Sequence, residues 1–516
     1  MPTATDGNLN VVSGAMQSST LSGTGGGTLT YEITVQPKDG TATLTDAATG
    51  AFTYTSYPNF SGSDSLLFTV KDSNGTSQPA TEAITVTSGA LGAPRAVANI
   101  GVNTDWVCYW CAAQPYVDVL HQAAAFYDPA NNNTLLVEEG KLDSNGWPEE
   151  DFKVFALDSS TVADDSKDDP GTQPTLTGNY QLSFNGKATV TDAGYGSVTN
   201  QQYISATNTT TATVAAVLSN SGTFNLTLVF KNTQRTASSP MDTGVTNIQI
   251  IRPQYAPNGA EWWASPTQEF TTPFLNSFKG FSTIRYENWT KPIGSPEVNW
   301  SDRTPDNWPV AGHLTEAAPS SLTYLVPPPK TCTAYCDWYT SGQSWESVID
   351  LANATHTDMW INIPTMATDD YIKSLAALIQ SKLDPNLHVY VEWSDEIWNY
   401  GNPFWTETDY NADQTTALLA NDPTAAANYK AHCASWAASE CHVAERVMQF
   451  SNDFASVYGQ SAINNTIRPV LCTQLVQPSY MAEALGYIAA VYGPPSNDEP
   501  GKGEARGEEP AVAPRA

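Results

Sequence analysis

Short stretches of alternating apolar and polar residues recur through the first part of the chain. The clearest of them are 29–33, 51–54, 65–70 and 82–86, and Gly, Asn and Asp residues separate them. Alternation with a period of two is typical of strands with one buried face, and such close spacing is typical of a sandwich. The pattern therefore predicts an all-β sandwich over residues 1–90.

A second β-rich stretch extends over residues 135–252 and shows no helical periodicity. Its cleanest alternation lies at 180–184 and 224–230, which predicts strands with one buried face. A linker rich in small residues, 88–94, and a strand-like apolar segment, 96–102, precede this stretch. We interpret the stretch as a β-sandwich inserted after the first strand of a larger α/β domain.

Strand-like apolar runs alternate with helical patterns beyond residue 252. Further strands are predicted at 281–286, 358–363, 387–391 and 467–472, and helices at 344–354, 368–383, 423–458 and 480–492. Within the second helix the apolar stripe is Ile372, Leu375, Ala376, Ile379 and Leu383, with Thr368 as N-cap. With the strand at 96–102, this alternation predicts a TIM-type α/β barrel of which five of about eight strands are identifiable.

These patterns divide the chain into five segments. They are an immunoglobulin-like sandwich (1–90), the first barrel strand and its loop (95–134), an inserted β-sandwich (135–252), the remaining barrel strands (253–493) and a disordered tail (494–516). The tail has almost no large apolar residue, which is why no packed structure is expected there. The predicted fold class is thus multidomain, with a sandwich before an incomplete barrel.

The stretch 391–400 carries the clearest candidate chemistry. It places three acids, Glu392, Asp395 and Glu396, among two tryptophans at the end of a predicted barrel strand. Strand alternation puts Glu392 and Glu396 on one face, and barrels place their chemistry at the carboxyl ends of strands. A carboxyl group beside aromatic rings suits glycosidic bond cleavage, in which an acid protonates the leaving oxygen. The alternative is an edge strand with solvated acids.

The same stretch resembles the fourth-strand motif of glycoside hydrolase clan A. It is more similar still to bacterial secreted barrel proteins of the "cellulose-binding" type, and the resemblance extends to 281–289, 358–364 and 467–474. Together these motifs cover roughly residues 95–493. The resemblance implies a retaining hydrolase of β-linked plant polysaccharide, such as cellulose or a related β-glucan, with Glu396 as general acid/base. It implies no required cofactor.

The resemblance also leaves part of the mechanism unassigned. The clan carries its nucleophile on strand seven, and this chain is expected to end before that strand. Glu287 and Glu261 are the candidate substitutes. Two residues depart from the pattern: Asp395 stands where the clan has Asn, and Thr365 where the related proteins have His.

Several further residues are expected at the same site. Arg285 ends strand two, where the clan places an Arg that orients carboxylates, and it should pair with inward-facing Glu392. Arg285 and Asp395 are candidate substrate contacts. The other candidate contacts are Trp289, Trp300, Trp393, Trp398 and Asn399, and each tryptophan is an equally good core residue.

The first module resembles bacterial cadherin-like, immunoglobulin-type repeats through segment 60–72. Such repeats are spacers or adhesive stalks. Asp64, Asp72 and Asn74 are candidate calcium ligands, and the alternative is that they are solvated turn residues.

The net charge and the hydropathy of the chain limit the kinds of partner that it is expected to bind. Acids outnumber bases 53 to 23, giving a net charge of −30. Such a surface repels nucleic acid and anionic membranes and suits a protein that meets a neutral polysaccharide outside the cell. The sequence has no apolar run of the ~18 residues that a membrane span requires. The first residues also lack a secretory signal, so a secreted or cell-surface location implies that the signal is missing from this sequence.

The seven cysteines fall into three close pairs and one single residue. A disulfide between Cys332 and Cys336 is plausible, and a zinc site built from that pair and Cys108/Cys111 is the alternative. In a continuous helix Cys433 and Cys441 would stand ~12 Å apart, too far to bond, so a disulfide requires a helix break. Cys472 is predicted to be a buried thiol.

Three classes of function remain open on the sequence. The first is the secreted hydrolase, which we prefer. The second is a non-catalytic carbohydrate-binding or adhesive surface protein. The third is a fragment that exposes sheet edges and associates.

Overall fold

The chain forms two compact units, Met1–Ala98 and Asn99–Ala516. The computed structural model describes residues 2–12, 16–37, 40–56, 62–87, 100–123, 125–131, 134–137, 139–158, 175–265, 267–293, 295, 297–311, 341–399, 401, 404–474 and 476–493. The predicted tail, 494–516, and the pair Cys332 and Cys336 lie outside these residues.

The first unit is built from strands, as the alternation predicts. Its strands are β1 (Thr3–Thr5), β2 (Gly7–Val12), β3 (Met16–Thr20), β4 (Ser22–Thr24), β5 (Thr30–Val35), β6 (Gly40–Asp46), β7 (Ala51–Ser56), β8 (Gly62–Asp72), β9 (Gly75–Thr76) and β10 (Ala80–Thr87). One sheet has the order β2-β10-β8-β5 with β9 on β8, a second is β3-β7-β6, and β1 pairs with β4. The alternating side chains of Phe52, Tyr54, Phe68 and Ile84 form the core between strands. The all-β prediction for this module is confirmed.

The second unit opens with a parallel strand and then two antiparallel sheets. Its strands in this part are β11 (Gly101–Asn103), β12 (Phe126–Tyr127), β13 (Phe152–Asp158), β14 (Gly178–Asn185), β15 (Lys187–Asp192), β16 (Ser197–Ile204), β17 (Thr209–Ala216), β18 (Asn225–Gln234) and β19 (Thr246–Ile251). The sheets are β12-β13-β18-β15 and β16-β17-β14-β19. Tyr180, Leu182 and Phe184 are buried on one face of β14, as the alternation predicts. The short strand β12 begins before the predicted boundary at 135.

A five-stranded parallel sheet joins β11 to four later strands. These are β20 (Thr283–Arg285), β21 (Asp358–Ile363), β22 (Val389–Trp393) and β23 (Ile467–Val470), and the order β11-β20-β21-β22-β23 follows the chain. Four of the five lie at predicted barrel strands, and β11 overlaps the predicted strand 96–102 only at the last two residues of that range. Residues 96–99 and the predicted linker, 88–94, lie outside the described residues. Within the described residues no further strand extends this sheet, so a closed barrel is not shown.

Helices follow the parallel strands. They are α1 (Thr272–Ser277), α2 (Glu287–Thr290), α3 (Trp345–Thr355), α4 (Asp369–Lys382), α5 (Trp405–Asn421), α6 (Pro423–His432), α7 (Ala438–Tyr458) and α8 (Pro478–Val491), with 3₁₀ turns at Val119–Gln122, Trp300–Asp302 and Gln460–Ala462. Thr368 caps α4 by accepting from the backbone amide of Tyr371, and the predicted stripe of α4 is buried. None of the described helices combines the length and apolarity needed to cross a bilayer.

The helical pattern predicted from 423 to 458 is two helices rather than one. α6 ends at His432 and α7 begins at Ala438, so the chain turns between Cys433 and Cys441. The two cysteines form a disulfide with a Cα–Cα distance of 6.4 Å, which satisfies the condition set by helix geometry.

The other described cysteines test the predicted zinc site and the predicted buried thiol. Cys108 and Cys111 form a disulfide, so their sulfurs are not available as zinc ligands and the zinc interpretation is wrong for that pair. Cys472 is a free thiol, but it is only partly buried rather than fully enclosed.

Candidate functional site

The carboxyl ends of the parallel strands meet at one edge of the sheet. Asn103 of β11 is in register with Arg285 of β20, and Arg285 is in register with Trp360 of β21. One step further, Asn362 of β21 pairs with Glu392 of β22. Parallel strands end at the same edge, so these polar side chains are brought together.

Arg285 forms the centre of this group. Its guanidinium donates to Glu392 at 2.9 and 3.0 Å and to Asp395 at 2.7 Å, and it lies 5.7 Å from the centre of the Trp360 ring. Burial alone would lower the pKa of Arg285, but the charges of Glu392 and Asp395 raise it above its ordinary value. The expected pair of Arg285 and Glu392 is present, and Asp395 joins it.

Glu392 is almost fully buried beneath Arg285. The indole nitrogen of Trp360 donates to its carboxylate at 2.8 Å, and the thiol of Cys472 donates to it as well. Burial raises the pKa of Glu392, while Arg285 opposes that rise. The role of Glu392 is therefore a charged partner inside the fold, as the sequence predicts for an inward-facing residue.

The strand ends earlier than its alternation suggests. β22 stops at Trp393, and Ser394 has a φ of 58° in the left-handed region, which few residues other than Gly, Asn and Asp adopt. The amide of Asn362 donates to the Ser394 carbonyl at 2.5 Å and fixes this turn. The prediction that Glu392 and Glu396 share one strand face is therefore wrong, because the strand ends between them.

Glu396 lies in the turn that follows. The side-chain amide of Asn399 donates to its carboxylate at 2.6 Å, and the backbone amide of Asn399 donates to its carbonyl at 2.8 Å. Glu396 is partly exposed. The predicted Asn399 thus contacts Glu396 directly, and both stand on the segment that immediately follows Asp395.

Glu287 is a second candidate carboxyl at the same edge. It begins α2, directly after β20, and accepts from the Asn103 amide at 3.3 Å. Burial raises the pKa of Glu287 to about 7, and the nearby charge of Asp395 adds to the rise while Arg285 opposes it. Near neutral pH this carboxyl therefore exchanges its proton easily.

Glu407 is a functional candidate that the sequence does not reveal. It is buried on α5, accepts from the Thr365 hydroxyl at 3.0 Å, and is hydrogen-bonded to Ser394. Burial raises the pKa of Glu407 to about 8, and its second carboxyl oxygen has no hydrogen-bond partner. The Thr365 and Ser394 hydroxyls lie 2.8 Å apart, so Thr365 links Glu407 to the turn before Asp395.

The aromatic candidates divide between core and surface. Trp289 is 2% exposed and stacks on Phe274 at 5.9 Å between ring centres, so it is a core residue and not a sugar platform. Trp393 is also buried. Trp300 and Trp398 are partly exposed and pack against the same core.

Glu261 does not join the strand-end group. It closes a small turn by pairing with Tyr255, in the segment between the antiparallel sheets and α1. It is therefore a poor candidate for a second catalytic carboxyl.

The calcium candidates in the first unit accept hydrogen bonds from the protein. Asp64 accepts from the Tyr54 hydroxyl at 2.8 Å, and Asp72 from the backbone amides of Gly26 and Asn74. These amides lower the pKa of Asp72. Among the described residues no cluster of three or more His, Cys, Asp or Glu has the geometry of a metal site. Calcium binding here stays a prediction.

One family model matches the first unit. Residues 1–87 match the bacterial Ig domain family, in agreement with the β-sandwich that they form. No curated protein sequence is significantly similar to the chain.

Several solved structures of carbohydrate-related proteins are weakly similar to the chain. The endo-fucoidan hydrolase MfFcnA4 of glycoside hydrolase family 107 matches with 12% identity over 42% of this chain and 24% of its own, at a TM-score of 0.14. A candidate alpha-galactosidase from Bacteroides fragilis matches with 8% identity over 76% of this chain and 45% of its own, at 0.14.

SGBP-B of the mixed-linkage glucan utilization locus of Bacteroides ovatus, in complex with a mixed-linkage heptasaccharide, matches with 11% identity over 43% of this chain and 42% of its own, at a TM-score of 0.11. The chain thus spans less than half of each of these proteins. TM-scores this low do not establish a shared fold.

Proposed function

We propose that the chain is a glycoside hydrolase that cleaves a β-linked neutral polysaccharide at the carboxyl ends of the parallel strands. The observation that supports it is the group formed by Arg285, Glu287, Glu392 and Asp395 at that edge, with Glu396 on the adjoining turn. Glycosidic hydrolysis by this class of mechanism uses two carboxyl groups in different protonation states.

In the proposed mechanism Glu396 is the acid/base and Glu287 the second carboxyl. Glu396 protonates the leaving sugar oxygen and then removes a proton from the attacking water. Glu287 attacks the anomeric carbon as a carboxylate, forming a glycosyl ester that the water hydrolyses. Arg285, which is anchored by the buried Glu392, holds Asp395 beside them. The acidic surface of the chain does not repel a neutral polymer.

The test is the release of reducing ends from soluble mixed-linkage β-glucan, xylan and glucomannan. We expect release by the unaltered chain and a loss of about 100-fold or more in Glu396→Gln, the usual scale for removing an acid/base residue. Glu149→Gln, an exposed Glu of the same unit, is the matched control and should retain full activity. Equal activity in Glu396→Gln would overturn the assignment of Glu396.

A second candidate function is carbohydrate binding without hydrolysis. It is favoured by the ion pair of Asp395 with Arg285 at 2.7 Å. The resemblance places Asp395 where the clan has an Asn that contacts the sugar, and the ion pair occupies the carboxylate of Asp395. It also agrees with the bacterial Ig match of the first unit. Retardation of the folded protein in gels that contain the same polysaccharides, without any release of reducing ends, would support binding over hydrolysis.

A further inference from the structure

A cavity of about 580 Å³ lies on the other face of the parallel sheet, against the helices. Successive strand residues point to opposite faces, so Trp393 points away from the carboxylates that Glu392 joins. Its indole nitrogen donates to the Thr365 carbonyl at 3.1 Å, and its ring meets His442 of α7 at 5.8 Å. The cavity lies beside this tryptophan, and Thr365, which also lines it, joins it to the Ser394 turn and to Glu407.

The cavity is lined by the start of α4 and by residues of α5 and α7. Its lining is mainly polar and includes Asp369, Asp370, Lys373, Gln414, Arg446 and Gln449, with Tyr410 as a partly exposed ring. The volume falls within the range of about 300–1,000 Å³ of small-ligand sites.

One wall of the cavity is held rigid by its own hydrogen bonds. Arg446 donates to the Asp369 carboxylate and to the Ala367 carbonyl, both at 2.6 Å, and also to the Gln449 side chain at 2.7 Å. The amide of Gln449 donates to Asp369 at 2.8 Å. A prearranged wall loses little side-chain freedom when a ligand binds, which favours affinity.

The charges of the lining exclude several classes of ligand. Asp369 and Asp370 balance Lys373 and Arg446, and burial together with the nearby Arg446 lowers the pKa of His442 to about 4, so that its ring is neutral at neutral pH. A free anion or cation would meet groups of its own sign. A purely apolar ligand would bury these polar groups without partners, which is costly.

We propose that this cavity binds a neutral saccharide, such as the terminal one or two rings of an oligosaccharide. Vicinal hydroxyl groups both donate and accept, which matches a lining in which carboxylate, guanidinium and amide groups alternate. The partly exposed ring of Tyr410 offers an aromatic surface against which a sugar ring can pack. The site goes beyond the proposed hydrolysis, since binding here needs none of the strand-end carboxyls.

The experiment is calorimetric titration of the Glu396→Gln protein with cellohexaose, xylohexaose and mannohexaose, each on its own. This background keeps the sugar intact whether or not the chain is a hydrolase. We expect at least one probe to bind, and Gln414→Ala and Gln449→Ala each to weaken it up to about ten-fold, the scale of one lost hydrogen bond. Gln414→Trp should abolish binding by filling the cavity.

Gln181→Ala, an exposed Gln on β14, is the matched control and should bind as the parent does. Circular dichroism and melting temperature establish that each variant is folded, and the Gln414 variants serve if Gln449→Ala is unfolded. Absence of binding by all three probes overturns the proposal. Binding that is unchanged in folded Gln414→Ala and Gln414→Trp overturns it too, because the sugar then binds elsewhere. Loss of hydrolysis in the activity assay would leave this result unaffected.

Discussion

The strand-end group contains three carboxyl groups, Glu287, Glu392 and Asp395, and one guanidinium. Arg285 balances Glu392 and Asp395 directly. Burial raises the pKa of Glu287 to about 7 and that of the neighbouring Glu407 to about 8, so both carry a proton for part of the time near neutral pH. As the proposed nucleophile, Glu287 must lose this proton before it can attack.

The pKa of Glu287 predicts how activity depends on pH. As the proposed nucleophile it must be ionised, and its pKa of about 7 means that the ionised fraction grows as pH rises from 6 to 8. We therefore expect kcat/KM on mixed-linkage β-glucan to rise roughly ten-fold between pH 6 and pH 8. Glu287→Gln should lose activity at every pH. A profile that instead falls above pH 7 would assign Glu287 the role of proton donor.

The buried Glu407 predicts a pH-dependent stability. Its pKa is about 8 in the folded chain, above the ordinary value of 4.5, so between these values the folded state holds a proton that the unfolded state has lost. The free energy of unfolding of the wild type therefore falls as pH rises through that window. The glutamine of Glu407→Gln does not titrate. The free energy of unfolding of this variant relative to that of the wild type should therefore grow by up to about 1.4 kcal/mol per pH unit.

Urea unfolding at pH 5, 6.5 and 8 measures this difference. Glu149→Gln, with an exposed side chain, should differ from the wild type by the same small amount at all three pH values. A difference between Glu407→Gln and the wild type that does not change with pH would show that Glu407 is ionised throughout.

At the scale of elements, the sequence correctly predicts the strands and helices whose positions are set by the pattern of apolar residues. The five parallel strands and the stripe of α4 are found because burial of Ile, Leu and Val imposes a visible period. The turn at Ser394 is not predictable, since no Gly, Pro or Asn marks it in the sequence, while a tertiary hydrogen bond from Asn362 fixes the backbone. Glu407 is missed for a related reason.

The buried face of α5 is polar. Its buried side chains include Glu407, Thr408, Asn411 and Thr415, at helical spacing. Hydrophobic periodicity cannot reveal a stripe of this kind, because its members are held by hydrogen bonds rather than by apolar area. Of the candidate site, the sequence thus locates the residues on strands and misses the residue supplied by this helix.

The break between α6 and α7 predicts a structural role for its disulfide. Cys433 and Cys441 close a loop of about eight residues, for which loop-closure entropy gives about 2–3 kcal/mol. We expect the double variant Cys433→Ser, Cys441→Ser to lose about 2 kcal/mol in urea unfolding under oxidising conditions. Peptide mass mapping of the wild type should recover the linked pair.

Reductant provides the control for this prediction. It should lower the stability of the wild type more than that of the double variant, which among the described residues retains Cys108–Cys111 but not the Cys433–Cys441 bond. Equal stability of the two proteins under oxidising conditions would mean that the disulfide does not constrain the unfolded chain.

At the scale of the whole molecule, each compact unit has its own apolar core. The core of Met1–Ala98 includes Tyr54, and the core around the parallel sheet includes Ile284. Separate cores are what allow parts of a chain to unfold as separate cooperative units. The match of residues 1–87 to the bacterial Ig domain family agrees with an autonomous first unit.

We therefore expect calorimetry of the full chain to resolve two transitions that respond to different substitutions. Tyr54 is fully buried, and Tyr54→Ala should cost about 3–5 kcal/mol and lower only the transition of the first unit, by about 10 °C or more. Ile284 is equally buried in the second unit, so Ile284→Ala is the matched variant and should lower only the other transition. A single transition that both substitutions move together would show that the two cores unfold as one.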